Sequence, residues 1–177
     1  MNIADLETLD YPPLTGDLEE AKAHLDEYGM ALIENVLTAK EVEEMDQRLN
    51  EQFLGEEKHQ VGSKLRGDEG LGVQSPEEEK VSRLIWNLLN KGDCFLKLLD
   101  HPKILPLVQH LIGEKICLCS IGAHMNGSGN ERMALHQDQW PLVPHPMDFP
   151  FMANVMYLIS DNSPENGGTR LIPGSHK

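Results

Sequence analysis

The sequence predicts an α+β domain in which helices precede an antiparallel β core. Apolar residues recur at helical spacing through most of residues 1–113. After Gly113 the pattern changes to short apolar or alternating runs separated by Pro and Gly. Helices followed by closely spaced strands are typical of α+β folds. We therefore expect a single domain over residues 1–177, with the helical region at 1–113 and the start of the β core at 114–177.

The predicted helices have recognisable ends. Asp17 is a good N-cap, and Gly29 is a good C-terminal stop, so a first helix should lie between them. Thr38 and Glu41 form the capping box of a second helix. Further helices are expected over residues 77–89, 93–99 and 102–112.

Short apolar runs predict the strands. These runs lie at residues 30–36, 115–122, 133–139, 151–159 and 169–172. The segment 55–75, in contrast, is polar and rich in glycine. A loop of that length inside a compact domain is typical of a functional lid or a disordered segment. We interpret it as a mobile loop beside the functional site.

Composition restricts the classes of partner. The formal net charge is −14, which argues against a nucleic acid and against an anionic membrane surface. Three cysteines (Cys94, Cys117 and Cys119) lack zinc-site spacing and leave an odd thiol in any disulfide scheme. No signal peptide pattern opens the chain, and no apolar run is long enough to span a membrane. These features predict a cytoplasmic protein.

The most informative stretch is His136-Gln137-Asp138. In a strand, side chains two residues apart leave from the same face, so His136 and Asp138 could reach one ion. They would supply two of the three ligands of the two-His-one-carboxylate triad that binds non-haem Fe(II). For an isolated pair, a surface turn with a solvated His136 is the simpler interpretation. Apolar neighbours favour a position at the mouth of a core.

A second motif, NGGTRLIPGSH, begins at Asn166. Its two glycines predict a tight turn with positive φ, and Pro173-Gly174 predicts another. The segments ALHQDQW and SPENGGTRLIPGSHK, with HLDEYGMALIENVLTAKEVEEM nearer the N-terminus, resemble the phytanoyl-CoA dioxygenase family of Fe(II)- and 2-oxoglutarate-dependent oxygenases. The resemblance implies a double-stranded β-helix, or jelly-roll, core that follows N-terminal helices.

The resemblance also implies the chemistry. Fe(II) would be bound by His136 and Asp138, with 2-oxoglutarate beside them. The enzyme would use O2 to oxidise a C–H bond of a small organic substrate while 2-oxoglutarate becomes succinate and CO2. The residues implied for the cosubstrate pocket are Met133, Asn154, Met156 and Thr169, although core packing is the alternative for both methionines. No residue is assigned a catalytic role apart from metal and cosubstrate binding.

Family members carry a distal His ligand and a 2-oxoglutarate-binding Arg after the PGSH motif, and this sequence has no residue after Lys177. We expect the N-terminal and central part of a longer oxygenase, with an incomplete jelly roll; a shortened relative without catalysis is the alternative. His124, His145 and His176 are other candidate ligands, but an ordinary satisfied or solvated surface position is the better explanation for each of them. Arg170 is expected to face solvent.

Two further functions stay open at this point. One is an inactive binding module on the same scaffold, and the other is a cupin-type metal protein that uses a different cosubstrate. The acidic surface makes a bulky polyanionic substrate less favourable, because its approach would be repelled. The substrate and the oligomeric state are not predicted.

Overall fold

The structure is a computed structural model that describes residues 9–61, 63–65, 82–126, 135–138, 149–163 and 166–177. Helices and strands are mixed, in agreement with the α+β prediction. The elements in chain order are β1 (Leu14–Thr15), α1 (Leu18–Tyr28), β2 (Leu32–Ile33), α2 (Ala39–His59), β3 (Ser63–Leu65), β4 (Ser82–Trp86), two 3-10 helices (Leu88–Asn90 and Asp93–Leu98), α3 (Leu105–Ile112) and β5 (Gly122–Met125).

Helix α1 has both of its predicted ends. The Asp17 carboxylate accepts hydrogen bonds from the backbone N–H groups of Glu19 and Glu20, each at 2.9 Å. These bonds satisfy two of the donors that the first turn of a helix leaves unpaired. At the other end Gly29 adopts a left-handed conformation with φ of 74°, and its N–H donates to the carbonyl of Leu25 at 3.0 Å.

Helix α2 begins at the predicted capping box. Thr38 accepts from the Glu41 backbone N–H, and the Glu41 carboxylate accepts from the Thr38 backbone N–H at 2.9 Å. These backbone and hydroxyl contacts lower the pKa of Glu41 below its usual value. The predicted loop is wrong at its start, because the helix continues through residues 55–59. Glu56 on the inner face explains the extension, since its carboxylate lies 3.3 Å from the Lys91 ammonium.

The strands form two small sheets among the described residues. β1 and β2 pair in parallel, and β3, β4 and β5 form an antiparallel sheet in that order. The helix predicted for 77–89 is wrong in its described part, where residues 82–86 form β4. Pairing with β5 decides this, because tertiary hydrogen bonding overrides an apolar spacing that suits either structure.

Other strand boundaries also differ from the predictions. The strand predicted at 30–36 is reduced to the two residues of β2, and the strand predicted at 115–122 begins only at Gly122. A Cβ at Gly122 would lie 3.0 Å from the Ile85 carbonyl oxygen, so glycine permits this close strand pairing. No strand is present in the described parts of 133–139, 151–159 and 169–172. The double-stranded β-helix therefore stays a prediction.

The apolar residues form two core clusters. The larger lies between α2, β4 and the two 3-10 helices, and its buried members are Met45, Leu49, Phe53, Ile85, Leu88, Cys94, Phe95 and Leu98. The smaller joins α1 to α3 through Ala21, Leu25 and Leu107. None of the helices among the described residues is both long and apolar enough to span a bilayer.

Tyr157 attaches the 149–163 segment to the larger core. Its ring packs on that cluster together with Ile159, and its hydroxyl donates to the Leu98 carbonyl at 2.9 Å. Burial raises the pKa of Tyr157 to about 12. The neutral phenol is thus the form that the fold stabilises, so this stabilisation is present below pH 10 and is lost as the pH rises through about 12.

Replacing Tyr157 by phenylalanine should lower the free energy of unfolding by about 1 kcal/mol, because the Leu98 carbonyl loses its donor while the ring still packs. Urea denaturation measures the loss, and the absorbance titration should lose the phenol that ionises near pH 12. Tyr11→Phe is the matched control. Its hydroxyl donates to the Leu171 carbonyl at 3.0 Å from an exposed position, so its change should stay within about 0.5 kcal/mol. Equal effects of the two substitutions would contradict the assigned role of Tyr157.

Candidate metal site

His136 and Asp138 lie side by side, as predicted. The Nε2 atom of His136 is 3.4 Å from Oδ1 of Asp138. Residues 135–138 do not form a strand, however, so the reason given for their proximity is wrong although the proximity itself is confirmed. The two side chains keep 33% and 49% of their surface exposed, so both are in contact with solvent.

The spacing of these two donor atoms suits one shared ion. Donor atoms about 2.1 Å from a metal lie about 3.0 Å apart at right angles and about 3.4 Å apart in a tetrahedral arrangement. The observed 3.4 Å matches the tetrahedral spacing and is longer than the right-angle spacing of a six-coordinate ion. It is longer than the 2.8 Å between His110 Nε2 and Asp26 Oδ1, an ordinary surface pair in the same protein. An imidazole and a carboxylate are also ligands that Fe(II) sites use.

The second oxygen of Asp138 has a partner of its own. The side-chain amide of Asn154 donates a hydrogen bond from Nδ2 to Asp138 Oδ2. One carboxylate oxygen thus faces the imidazole and the other is held by the amide. Ligating carboxylates in metal sites are commonly fixed by such hydrogen bonds.

Asn154 belongs to a segment that packs against the larger core. Tyr157 and Ile159 pack against that core, and Asn154 precedes Tyr157 by three residues in the same segment. The core therefore restricts the position of the amide that contacts Asp138. Sequence reasoning placed Asn154 in the cosubstrate pocket and missed this hydrogen bond, because the two residues belong to separate segments.

The other residues predicted for the cosubstrate pocket are Met133, Met156 and Thr169. Met133 lies outside the described residues. Met156 is 59% exposed, and Thr169 is also exposed. The roles of these residues and of Asn154 in binding 2-oxoglutarate stay predictions. Within the described part of the chain, no group of three or more His, Cys, Asp or Glu side chains is arranged to hold a metal.

The alternative histidines have other surroundings. His124 lies on β5 opposite Leu84, and partial removal from water lowers its pKa. His176 lies at the C-terminal end of α1, where its Nε2–H donates to the Asp26 carbonyl at 3.3 Å. His145 lies outside the described residues. The position of His176 explains it as a helix-end contact.

The NGG and PG turns have the predicted backbone at Gly167 and Gly174, whose φ angles are 83° and 76°. Gly168 is required for a different reason, because a Cβ there would lie 2.8 Å from the Ser163 carbonyl oxygen. The Asn166 side chain closes the same loop by accepting from the Ser163 N–H at 2.8 Å. The motif thus builds local structure around Ser163 and residues 166–174.

A His–Asp pair that can share one ion, on a scaffold of helices and strands, is the kind of site found in mononuclear metal proteins. The sequence model of phytanoyl-CoA dioxygenase (PhyH) matches residues 25–177. The chain belongs to this family.

Several curated proteins are similar to the chain. Dioxygenase af480 of Aspergillus fumigatus is 30% identical over 165 residues, which are 93% of this chain and 50% of that protein. A probable alpha-ketoglutarate-dependent hypophosphite dioxygenase of Stutzerimonas stutzeri is 27% identical, covering 90% of this chain and 53% of that protein. Dioxygenase sphC of Aspergillus fumigatus is 25% identical, covering 90% and 45%. The chain thus spans about half the length of these relatives, and no solved structure matches significantly.

Proposed function

We propose that the whole protein is an Fe(II)- and 2-oxoglutarate-dependent dioxygenase, and that this chain supplies two of its three metal ligands, His136 and Asp138. The observation that carries the proposal is the 3.4 Å approach of an imidazole nitrogen and a carboxylate oxygen in a chain of the PhyH family. The name of the Stutzerimonas relative, which includes dependence on alpha-ketoglutarate, supports the choice of cosubstrate.

The rest of the architecture follows from the same proposal. The antiparallel sheet β3-β4-β5 would belong to a double-stranded β-helix core that residues 114–177 begin. The distal His and the Arg for 2-oxoglutarate would come from a part of the protein outside this sequence. The partners would be a small organic substrate and O2, in the cytoplasm.

The chain's own residues would hold the ion and leave room around it. Fe(II) with bound 2-oxoglutarate supplies the activation of O2 that C–H oxidation requires. His136 and Asp138 would occupy two neighbouring coordination positions, and their exposure leaves the other side of the ion accessible. Asn154 would keep the carboxylate turned toward the imidazole. Met133, Met156 and Thr169 are the proposed residues for the cosubstrate side, together with the second amide N–H of Asn154.

The test is anaerobic addition of Fe(II) and 2-oxoglutarate to the whole protein, in which this chain supplies two of the three metal ligands, followed by visible absorption. We expect a metal-to-ligand charge-transfer band that His136→Ala removes, because the imidazole is one of the two anchoring donors. His110→Ala is the matched control, since it removes an imidazole paired with Asp26 on another surface. A band that survives His136→Ala, or that never forms, would contradict the proposal. Succinate release from 2-oxoglutarate would further exclude the inactive binding module.

A further inference from the structure

The Asp138 carboxylate uses its two oxygens for different contacts. Oδ1 lies 3.4 Å from the His136 Nε2 atom, whereas Oδ2 accepts the hydrogen bond from the Asn154 amide. We infer that Asn154 is a positioning residue that makes Asp138 a one-oxygen ligand, with Oδ1 directed to the metal and Oδ2 held back. This inference rests on the proposed function, because it concerns the same ion.

Binding of Asp138 through one oxygen affects how many coordination positions stay open. A six-coordinate ion with three protein ligands has three open positions, which a two-oxygen cosubstrate and O2 would fill. A carboxylate that bound through both oxygens would take one of these three positions. The Asn154 N–H competes for Oδ2 and therefore disfavours that binding mode.

An asparagine suits this task better than a charged residue does. Its amide donates to the carboxylate without bringing a positive charge that would repel a cation, and without adding a second carboxylate that would itself bind the ion. Its position is also restricted, since Tyr157 in the same segment is held by its hydrogen bond to the Leu98 carbonyl. Asn154 thus connects the apolar core to the orientation of Asp138.

Asn154→Leu tests the inference, because leucine has a similar volume and no donor. Co(II), which gives a visible spectrum, is titrated into the whole wild-type protein and into the whole protein that carries the substitution. We expect the dissociation constant to rise about 10- to 100-fold, the usual effect of removing a hydrogen bond to a metal ligand. The Co(II) absorption bands should also shift, because Asp138 is free to bind through both oxygens. Asn154→Gln keeps the donor and should recover part of the wild-type spectrum.

The matched control is Asn50→Leu on α2. Asn50 also donates to a carboxylate, with its Nδ2 atom 3.1 Å from Asp46 Oδ2, so this variant removes the same kind of contact elsewhere. It should leave Co(II) affinity and spectrum unchanged. Asn154 is exposed, so its substitution should change urea stability by no more than about 0.5 kcal/mol, and an affinity loss then reports on the site.

Two negative results have different meanings. If the wild type binds Co(II) and Asn154→Leu keeps its affinity and spectrum, the positioning role is wrong while the proposed function stands. If the wild type does not bind Co(II) at all, both are overturned.

Discussion

Replacing Asp138 by asparagine should weaken Co(II) binding about 100-fold. The substitution keeps the size of the side chain but removes its negative charge, so one of the two donor groups becomes a poor metal ligand. Structural zinc sites with four ligands gain about 10–16 kcal/mol, which assigns about 3 kcal/mol to each ligand. A loss of that size corresponds to a factor of about 100 in the dissociation constant. Isothermal titration or Co(II) absorbance measures it.

The control for this experiment is Asp26→Asn. Asp26 also faces an imidazole, with 2.8 Å between its Oδ1 atom and His110 Nε2, but as an ordinary surface pair. It should bind no ion specifically, so this variant should keep wild-type affinity. The net charge of −14 attracts cations in general, and salt screens that attraction. If both variants lose affinity equally, and the loss disappears at about 0.15 M salt, Asp138 is not a specific ligand.

Local chemistry explains the parts of the fold that were predicted correctly. The Asp17 and Thr38 caps depend on side chains that bond to backbone two or three residues away. The Gly29 stop likewise needs only a residue that tolerates positive φ. Sequence alone contains all of this information, and the ends of α1 and the start of α2 are confirmed.

Distant pairing explains the errors. Residues 82–86 have apolar positions that fit a helix, but their backbone pairs with β5, which begins 36 residues after β4 ends, as Gly122 follows Trp86. The spacing within one segment does not reveal such a partner. The same limit applies to the strands predicted at 151–159 and 169–172, since a strand is defined by its neighbour.

The candidate metal site contains one contact that the local sequence predicts and one that depends on a distant segment. The proximity of His136 and Asp138 was predictable, because only Gln137 separates them and few backbone conformations keep such side chains far apart. The Asn154 contact was not, because it joins residues 16 positions apart. The family resemblance indicated Asn154 as a pocket residue, and the structure adds the atom that it contacts.

The PGSH motif also has a partner that its own sequence does not show. The Gly174 N–H donates to the Tyr28 carbonyl at 2.7 Å, so the turn satisfies one of the carbonyls that the end of α1 leaves unpaired. His176 lies against Gly29 and donates to the Asp26 carbonyl. The C-terminal segment thus holds the end of the first helix.

Gly29→Ala should therefore be among the most destabilising single substitutions at an exposed position. A Cβ at residue 29 would lie 2.4 Å from Nδ1 and 2.6 Å from Cγ of His176, so the imidazole must leave its place on α1. The left-handed backbone, with φ of 74°, adds about 1–2 kcal/mol for any residue with a Cβ. The displaced imidazole and the strained backbone together should lower the free energy of unfolding by about 2–3 kcal/mol. For a chain of this size that corresponds to a melting temperature lower by roughly 5–10 °C.

Two comparisons separate the contributions to this loss. Gly174→Ala introduces the same backbone strain, with φ of 76°, but a Cβ there meets no atom within 4 Å. It should therefore lower the free energy of unfolding only by the backbone contribution, about 1–2 kcal/mol. In a His176→Ala background, Gly29→Ala should fall to that same value, because no imidazole remains to be displaced. If the cost of Gly29→Ala does not change in that background, the contact between His176 and the end of α1 contributes nothing to stability, and only the backbone conformation requires glycine.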